Sequence, residues 1–313
     1  MRMTRRWAVI GGGMAGLAAA RRLAGAGCDV SIFDKSRGVG GRMATRRAEG
    51  LQFDHGAQFF TARGDGFVRE VEALVGDGGA AAWGEVGYVG TPGMSAVGRA
   101  FARGLSIIPS QTVTRLDRDG ARWRIASAEG YETPPEGFDG VIVATPAPQA
   151  APILASAGVD WAGTARARYA PCWALMIAFG AIDDPIGVSL RPTDEAIAWI
   201  AADSSKPGRA AGSTTYVIHA TPAWSRQHLE RTPQEVAAML LARFQLLTGL
   251  QEAPSYLAAH RWRYALVEET AGEPFLYDEA RAIGACGDWC LGARVEAAFD
   301  SGDGLGAAIA GRA

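Results

Sequence analysis

Near the start of the chain a short apolar strand, Arg6-Trp7-Ala8-Val9-Ile10, runs into Gly11-Gly12-Gly13-Met14-Ala15-Gly16 and then an alanine- and leucine-rich helix. A second strand, Val30-Ser31-Ile32-Phe33, ends on Asp34, eighteen residues past Gly16. No other feature constrains the fold as much, because strand, glycine turn, helix, strand and acid in this order describe a βαβ dinucleotide-binding unit. Each residue has a chemical reason. Gly11 allows the tight turn, Gly13 lets backbone approach a pyrophosphate, and Gly16 brings helix and strand together. The helix start at Met14 and Ala15 presents unpaired N–H groups and a positive dipole end to phosphate. Asp34 is spaced to accept hydrogen bonds from both hydroxyls of an adenosine ribose. In a chain with 41 glycines the glycine pattern alone says little; the ordered set of elements carries the inference.

Downstream, Lys35-Ser36-Arg37-Gly38-Val39-Gly40-Gly41-Arg42-Met43-Ala44-Thr45-Arg46 is a basic glycine-rich loop able to wrap a diphosphate with backbone amides and guanidinium forks. In Phe53-Asp54-His55-Gly56-Ala57-Gln58-Phe59-Phe60 a glycine stands between polar and aromatic residues, which suits backbone lying against a flat ring. Residues 61–90 read as a helix followed by an irregular excursion, Ser95 to Arg103 as a helix, and Gln111–Leu116 with Trp123–Ile125 as a hairpin turned at Asp119-Gly120. The fully apolar Val141-Ile142-Val143-Ala144 before Thr145-Pro146 belongs in the middle of a parallel sheet.

From about Ala151 the character changes. Trp173–Phe179, Ala196–Ala201, Thr214–Ala220 and Tyr256–Tyr264 are strand candidates too close together for further βαβ units, so an antiparallel sheet is expected. Its covering helix is Thr232–Thr248, with Val236, Met239, Leu240, Phe244 and Leu247 at helical spacing and Thr232-Pro233-x-Glu235 as the start signal. One more sheet strand at Ile283–Trp289 and a helix from Val295 to Ala310 close the chain. The expected fold class is α/β: a Rossmann-like nucleotide domain (residues 1–62, 93–150 and 280–313) and a second α+β substrate domain built on an antiparallel sheet (63–92 and 151–279).

Composition removes several function classes. A net charge of −2 argues against a nucleic-acid binder, and 48% hydrophobic with 20% charged residues is a globular balance. No stretch reaches the length of a spanning helix, so no stable membrane insertion is expected. The basic start Met1-Arg2-Met3-Thr4-Arg5-Arg6 before an apolar run imitates a signal peptide, but three glycines break the run and cleavage there would remove the nucleotide motif. Four cysteines, Cys28, Cys172, Cys286 and Cys290, lack metal-ligand or redox spacing, so no metal is expected and a reducing cytoplasm is the expected compartment. Oligomeric state is not legible.

The set Gly11-x-Gly13-x-x-Gly16, Arg37-Gly38-x-Gly40-Gly41-Arg42, Ala144-Thr145-Pro146 and Gly287-Asp288 followed by Val295-Glu296-Ala297 resembles the flavin-dependent oxidoreductases of the amine-oxidase superfamily. Within it, the Phe53–Phe60 string, Ser204-Ser205-Lys206-Pro207-Gly208-Arg209, His260-Arg261-Trp262-Arg263-Tyr264 and Gly287-Asp288-Trp289-Cys290 look like the bacterial renalases. The resemblance implies non-covalent FAD, bound through the glycine motif and Asp34, with Lys35, Arg37, Gly41, Arg42 and Met43 about the diphosphate. It further implies Val113 at the adenine through its backbone, Gly56, Ala57, Gln58 and Phe59 near the ring, Thr145 and Pro146 among the cofactor contacts, and Gly287 and Asp288 at the ribityl or diphosphate. The helix start at Val295 and Glu296 would point N–H groups at the flavin pyrimidine, where negative charge gathers on reduction.

Amine oxidases of the superfamily are associated with a lysine holding a water near flavin N5. Only Lys35 and Lys206 are present, and neither lies on a strand expected to face the flavin, although Lys206 can reach inward from a loop. Renalases, as the resemblance implies, oxidise 2- and 6-dihydro-NAD(P) isomers to NAD(P)+ by hydride transfer to the flavin and pass electrons to O2, giving H2O2. Such a transfer needs positioning more than acid or base, since the ring nitrogen lone pair drives it. Trp199, His219, Trp262 and Tyr264 from the second domain, with Gln58 and Phe60 from the first, are the candidate pocket. His260, Trp262 and Tyr264 share one strand face and Arg261 and Arg263 the other. The alternatives are an amine oxidase or desaturase acting on another small substrate, and a flavin-binding protein without turnover.

Overall fold

The computed structural model describes residues 4–311; Met1-Arg2-Met3, where the signal-like segment begins, and Arg312-Ala313 lie outside the described residues. The chain opens with β1 (Arg6–Ile10), α1 (Met14–Gly25) and β2 (Asp29–Phe33). Where sequence reading gave only a loop, the end of the basic stretch forms a hairpin, β3 (Thr45–Ala48) and β4 (Leu51–Asp54). α2 (Asp65–Gly76) follows, and the irregular excursion proves to be a second hairpin, β5 (Ala80–Trp83) and β6 (Gly87–Gly90). Next come α3 (Ser95–Phe101), β7 (Ser106–Ile108), the hairpin β8 (Val113–Asp119) and β9 (Arg122–Ser127), β10 (Gly140–Val143), α4 (Ala147–Ser156) and α5 (Ala162–Arg166). The second half holds β11 (Arg168–Phe179), β12 (Ser189–Leu190), β13 (Ile197–Ala202), β14 (Thr214–Ala220), α6 (Pro222–Gln227), α7 (Pro233–Thr248) and β15 (Tyr256–Glu269). The chain then returns through β16 (Leu276–Asp278), β17 (Ile283–Ala285), α8 (Asp288–Leu291) and α9 (Val295–Ala310).

Two sheets organise the molecule, as the α/β class with an antiparallel second domain requires. The first has order β16-β17-β10-β1-β2-β7, parallel except for β16, so strands from both ends of the chain share it. Its central strands are buried on both faces, which is why Ala8, Val9, Ile10 and Val141 to Val143 carry no polar side chain. α9 crosses α1 at very short range: a Cβ on Gly302 would lie 2.0 Å from the Ala15 carbonyl oxygen. The second sheet has order β12-β13-β14-β11-β15, antiparallel throughout.

Alternation along the strands of the second sheet gives it two different faces. Trp173, Leu175, Ile177 and Phe179 of β11, with Ile200, Tyr216 and Ile218, form a core under Val236, Leu240 and Phe244 of α7. The start of α7 is fixed by a capping box between Thr232 and Glu235. The opposite face carries Met176, Ala178 and Val217 against Phe53 of β4, and so looks toward the nucleotide domain. Residues 63–92, assigned by sequence to the substrate domain, pack largely on the nucleotide side: Phe67 meets Phe299 of α9 at 5.0 Å between ring centroids. They also touch the second sheet, where the Trp83 indole donates to Ser205 Oγ at 3.0 Å.

Candidate functional site

At the nucleotide end, the turn after β1 is built by steric exclusion. A Cβ on Gly16 would sit 1.9 Å from the Gly11 carbonyl oxygen, and Gly11 itself has φ +108°. Gly13 differs: it has ordinary extended φ, and nothing lies within 4 Å of where its Cβ would be. The protein therefore has no packing reason for glycine there, and the space it leaves opens on the first turn of α1, whose N-terminus no side chain caps. Asp34 Oδ2 accepts from Gly12 N and Oδ1 from Ser36 N, both at 2.7 Å, leaving lone pairs on each oxygen for ribose hydroxyls. Thr145 Oγ1 is buried without a partner beside Gly11. Lys35 and Arg37 extend into solvent beyond Asp34, Met43 lies in the core at 2% exposure, and Val113 lies in the core with Phe33.

Arg42 reaches across to the C-terminal segment and grips Asp288 bidentately, at 2.7 Å for both contacts, while also donating to Ala265 O at 3.0 Å. Tyr169 O–H lies 3.4 Å from Asp288 Oδ1, and Tyr264 packs edge-on against Tyr169 at 5.8 Å. The Arg42 backbone is equally constrained: its carbonyl accepts from Ala57 N at 2.8 Å and lies 1.9 Å from where a Gly56 Cβ would be. Gly56 is thus demanded by the Arg42 loop. The Glu296 side chain has a structural task of its own. Its Oε1 accepts from the amides of Arg63 and Gly64 at 2.6 and 2.7 Å, tying the loop before α2 to α9, so only backbone near Val295 and Glu296 remains for a ring.

The facing wall comes from the second sheet, and strand register determines it. Trp199 pairs with His219, His219 with Ala174, and Ala174 with His260, so β13, β14, β11 and β15 place these four side chains in one row on the face toward the nucleotide domain. Trp262 follows two residues along β15 and donates from its indole to His55 O at 2.8 Å. His55 packs against His260 and Trp262 with ring centroids 4.8 and 5.2 Å apart. Phe59 lies 5.7 Å from Trp199. Phe60, expected on this wall, is turned instead into the core with Phe67 and Tyr88, because its backbone bridges Tyr88 and fixes the opposite side chain direction. Tyr264 packs on Tyr169, the residue that contacts Asp288, and not on Trp199.

Behind the row is a buried charge cluster that sequence reading did not assemble. Lys206 Nζ donates to Asp203 Oδ1 at 2.6 Å and Gln58 Oε1 at 3.2 Å, and lies 3.5 Å from Asp54 Oδ2; all three charged side chains are fully buried. Arg209 also pairs with Asp54. Burial and the neighbouring Asp54 push the Asp203 carboxyl up, against the opposing pull of Lys206 and Arg209. With Lys206 donating to Oε1, the Gln58 amide must present Nε2 to the Asp54 carbonyl and, at 3.3 Å, to His219 Nε2. His219 accepts there only when that nitrogen is unprotonated. Burial lowers its pKa to about 4, a hydrogen bond to the His55 backbone opposing the shift. Burial and the nearby His260 take His55 to about 3, and burial with Arg46 lowers His260 as well. The row is therefore uncharged at neutral pH. A separate cavity of about 510 Å³ opens at the outer edge of β15, lined by Arg46, His260, Arg261 and Gln234.

Two family patterns match the chain: an NAD(P)-binding Rossmann-like domain over residues 9–74 and the flavin-containing amine oxidoreductases over residues 79–303. The chain belongs to the flavin-containing amine oxidoreductase family. Solved structures of similar fold include a candidate protoporphyrinogen oxidase from Exiguobacterium sp. 255-15, at TM-score 0.78 and 14% identity over 100% of both chains. Cyclohexylamine oxidase from Brevibacterium oxydans aligns at TM-score 0.69 and 15% identity over 99% of each chain. Among curated proteins, 4,4'-diapophytoene desaturases of Staphylococcus aureus are 53% identical over 49 residues, which is 16% of this chain and 10% of theirs. The chain is an FAD-dependent oxidoreductase. The open approach at Gly13, the uncapped start of α1, the free lone pairs of Asp34 and the orphaned Thr145 hydroxyl fit that cofactor. Among the described residues no helix is long and apolar enough to cross a membrane.

Proposed function

We propose that the protein is an oxidase of renalase type, which converts 2- and 6-dihydro-NAD(P) isomers to NAD(P)+ and reduces O2 to H2O2. The reaction balances as dihydronicotinamide plus O2 plus one proton giving NAD(P)+ and H2O2. The observation that carries the reading is the charge character of the Trp199–His219–Ala174–His260 row: its histidines are held neutral, and the acids bordering it, Asp54, Asp203 and Asp288, are each paired with a cation. Each of these three acids is already neutralised by its own cation and offers little to an alkylammonium ion, whereas an uncharged aromatic ring meets indole and imidazole. Lys206 supports the same reading, since its ammonium donors are directed at Asp203, Gln58 and Asp54 and none remains for a water in the pocket.

Bound FAD supplies the two-electron acceptor. The chain's own part is to bind, orient and desolvate: Trp262 and Phe59, the latter backed by Trp199, offer flat apolar surface, while Gln58 and His219 offer hydrogen bonds fixed by the network behind them. Four free cysteines and the lack of a redox pair support a cytoplasmic location. Incubation of the aerobic enzyme with each dihydro isomer, ordinary NADH, putrescine and cyclohexylamine tests the reading. NAD(P)+ and H2O2 in equal amounts from the isomers alone is the expected outcome; peroxide from an amine alone contradicts it.

A further inference from the structure

The row across the second sheet continues one strand further. β12 pairs with β13 as Ser189 opposite Ala201 and Leu190 opposite Ile200, so the next residue, Arg191, comes opposite Trp199. Its guanidinium carbon lies 4.3 Å above the centre of the Trp199 ring, which places the side chain on the face of the sheet that carries Trp199 and His219. Arg191 is exposed, and among the described residues no carboxylate pairs with it. Beneath it, Trp199 is only 8% exposed and its indole N–H has no partner. An unpaired cation over a buried, unsatisfied donor is an incomplete arrangement. Both groups are donors, so the missing partner is an acceptor with negative charge.

We propose that Arg191 and Trp199 form a phosphate-recognition subsite at one end of the pocket, which takes the pyrophosphate of a dinucleotide whose nicotinamide ring lies over His219. This rests on the renalase-type reading and gives it a specificity-determining residue. Scale supports the placement: β14 and β12 are two strand spacings apart, about 10 Å, and the ribose of a nucleotide separates its ring from its phosphates by an intervening distance that the arginine side chain covers. Charge supports it too. Arg191 repels an alkylammonium at the same mouth, and a planar guanidinium pairs bidentately with phosphate oxygens while stacked on an indole.

The test uses FAD-loaded wild type, Arg191→Gln and Arg191→Lys with two substrates, 6-dihydro-NAD and the phosphate-free 6-dihydronicotinamide riboside. The Kd of NAD+ is read separately from perturbation of the flavin absorbance. Arg191→Gln is expected to raise both the dinucleotide KM and the NAD+ Kd about tenfold, to weaken their dependence on salt, and to leave the riboside KM unmoved. Arg191→Lys is expected to restore part of the loss. Equal effects on dinucleotide and riboside, or none on either, overturn the subsite while the renalase-type reaction stands. Wild type that oxidises neither 6-dihydro-NAD nor the riboside overturns the function and the subsite together.

Discussion

Replacing Lys206 with methionine removes one cation from a cluster in which Lys206 and Arg209 face Asp54 and Asp203, all with side chains between 0 and 3% exposed. Methionine conserves most of the volume, so the effect is electrostatic: one buried carboxylate is left without compensation. Breaking a buried pair in this way costs about 3–5 kcal/mol. For a chain of 313 residues that is roughly 5–8 °C in Tm. The pH dependence identifies the cause. Asp203 is already pushed above the ordinary carboxylate range by burial, and losing Lys206 pushes it further. A raised folded pKa means the fold holds a proton that the unfolded chain has released, so the cost is present above that pKa and relieved below it. The deficit of Lys206→Met relative to wild type is therefore larger at pH 8 than at pH 5, and adding Asp203→Asn recovers part of it at pH 8. Thermal unfolding followed by circular dichroism at both pH values measures this. A variant within about 1 kcal/mol of wild type, or a deficit that grows toward acid, refutes the reasoning.

The glycines give a contrasting pair. Gly302→Ala forces a methyl to within 2.0 Å of the Ala15 carbonyl and is expected to cost about 1–3 kcal/mol or more in chemical denaturation, with α1 and α9 spread apart. Gly13→Ala meets no protein atom, so it is expected to unfold like wild type yet purify colourless, having lost FAD. The histidines predict acid sensitivity. With His219 lowered to about 4 and His55 to about 3, the fold must exclude protons that the unfolded chain takes up below its ordinary histidine pKa; stability is present at neutral pH and falls as pH drops from about 6.5 toward 4. Urea midpoints across that range check it, and His219→Gln should flatten part of the slope. Finally, Asp288→Asn loosens the grip of Arg42 and is expected to raise the FAD dissociation constant about tenfold by fluorescence titration.

What could be read from the sequence depended on how local the determining contact is. The βαβ unit was legible because Gly11 and Gly16 exclude each other's alternatives within six residues of chain. The apolar runs of β1 and β10 announced central parallel strands for the same kind of local reason. The row that includes Trp199 and His219 was half legible: alternation gave each strand a face, but only register across β13, β14, β11 and β15 shows that these residues are side by side. Phe59 and Phe60 illustrate the limit. Their segment is not a regular strand, so no alternation fixes its phase, and a bridge to Tyr88 decides which ring faces inward. For Lys206 and Glu296 a place was legible but not the partners: Lys206 could reach inward from its loop and Glu296 stood at a helix start, yet Asp54, Gln58, Arg63 and Gly64 lie between 148 and 233 residues away.

Anaerobic stopped-flow absorbance tests the central claim most directly. The yellow enzyme is mixed separately with 2-dihydro-NAD(P), 6-dihydro-NAD(P), ordinary NADH, putrescine and cyclohexylamine. The account predicts rapid loss of the oxidised flavin band with the 2- and 6-dihydro isomers alone, and its return on admitting air with peroxide formed. Loss of the band with an amine, and with neither isomer, contradicts it.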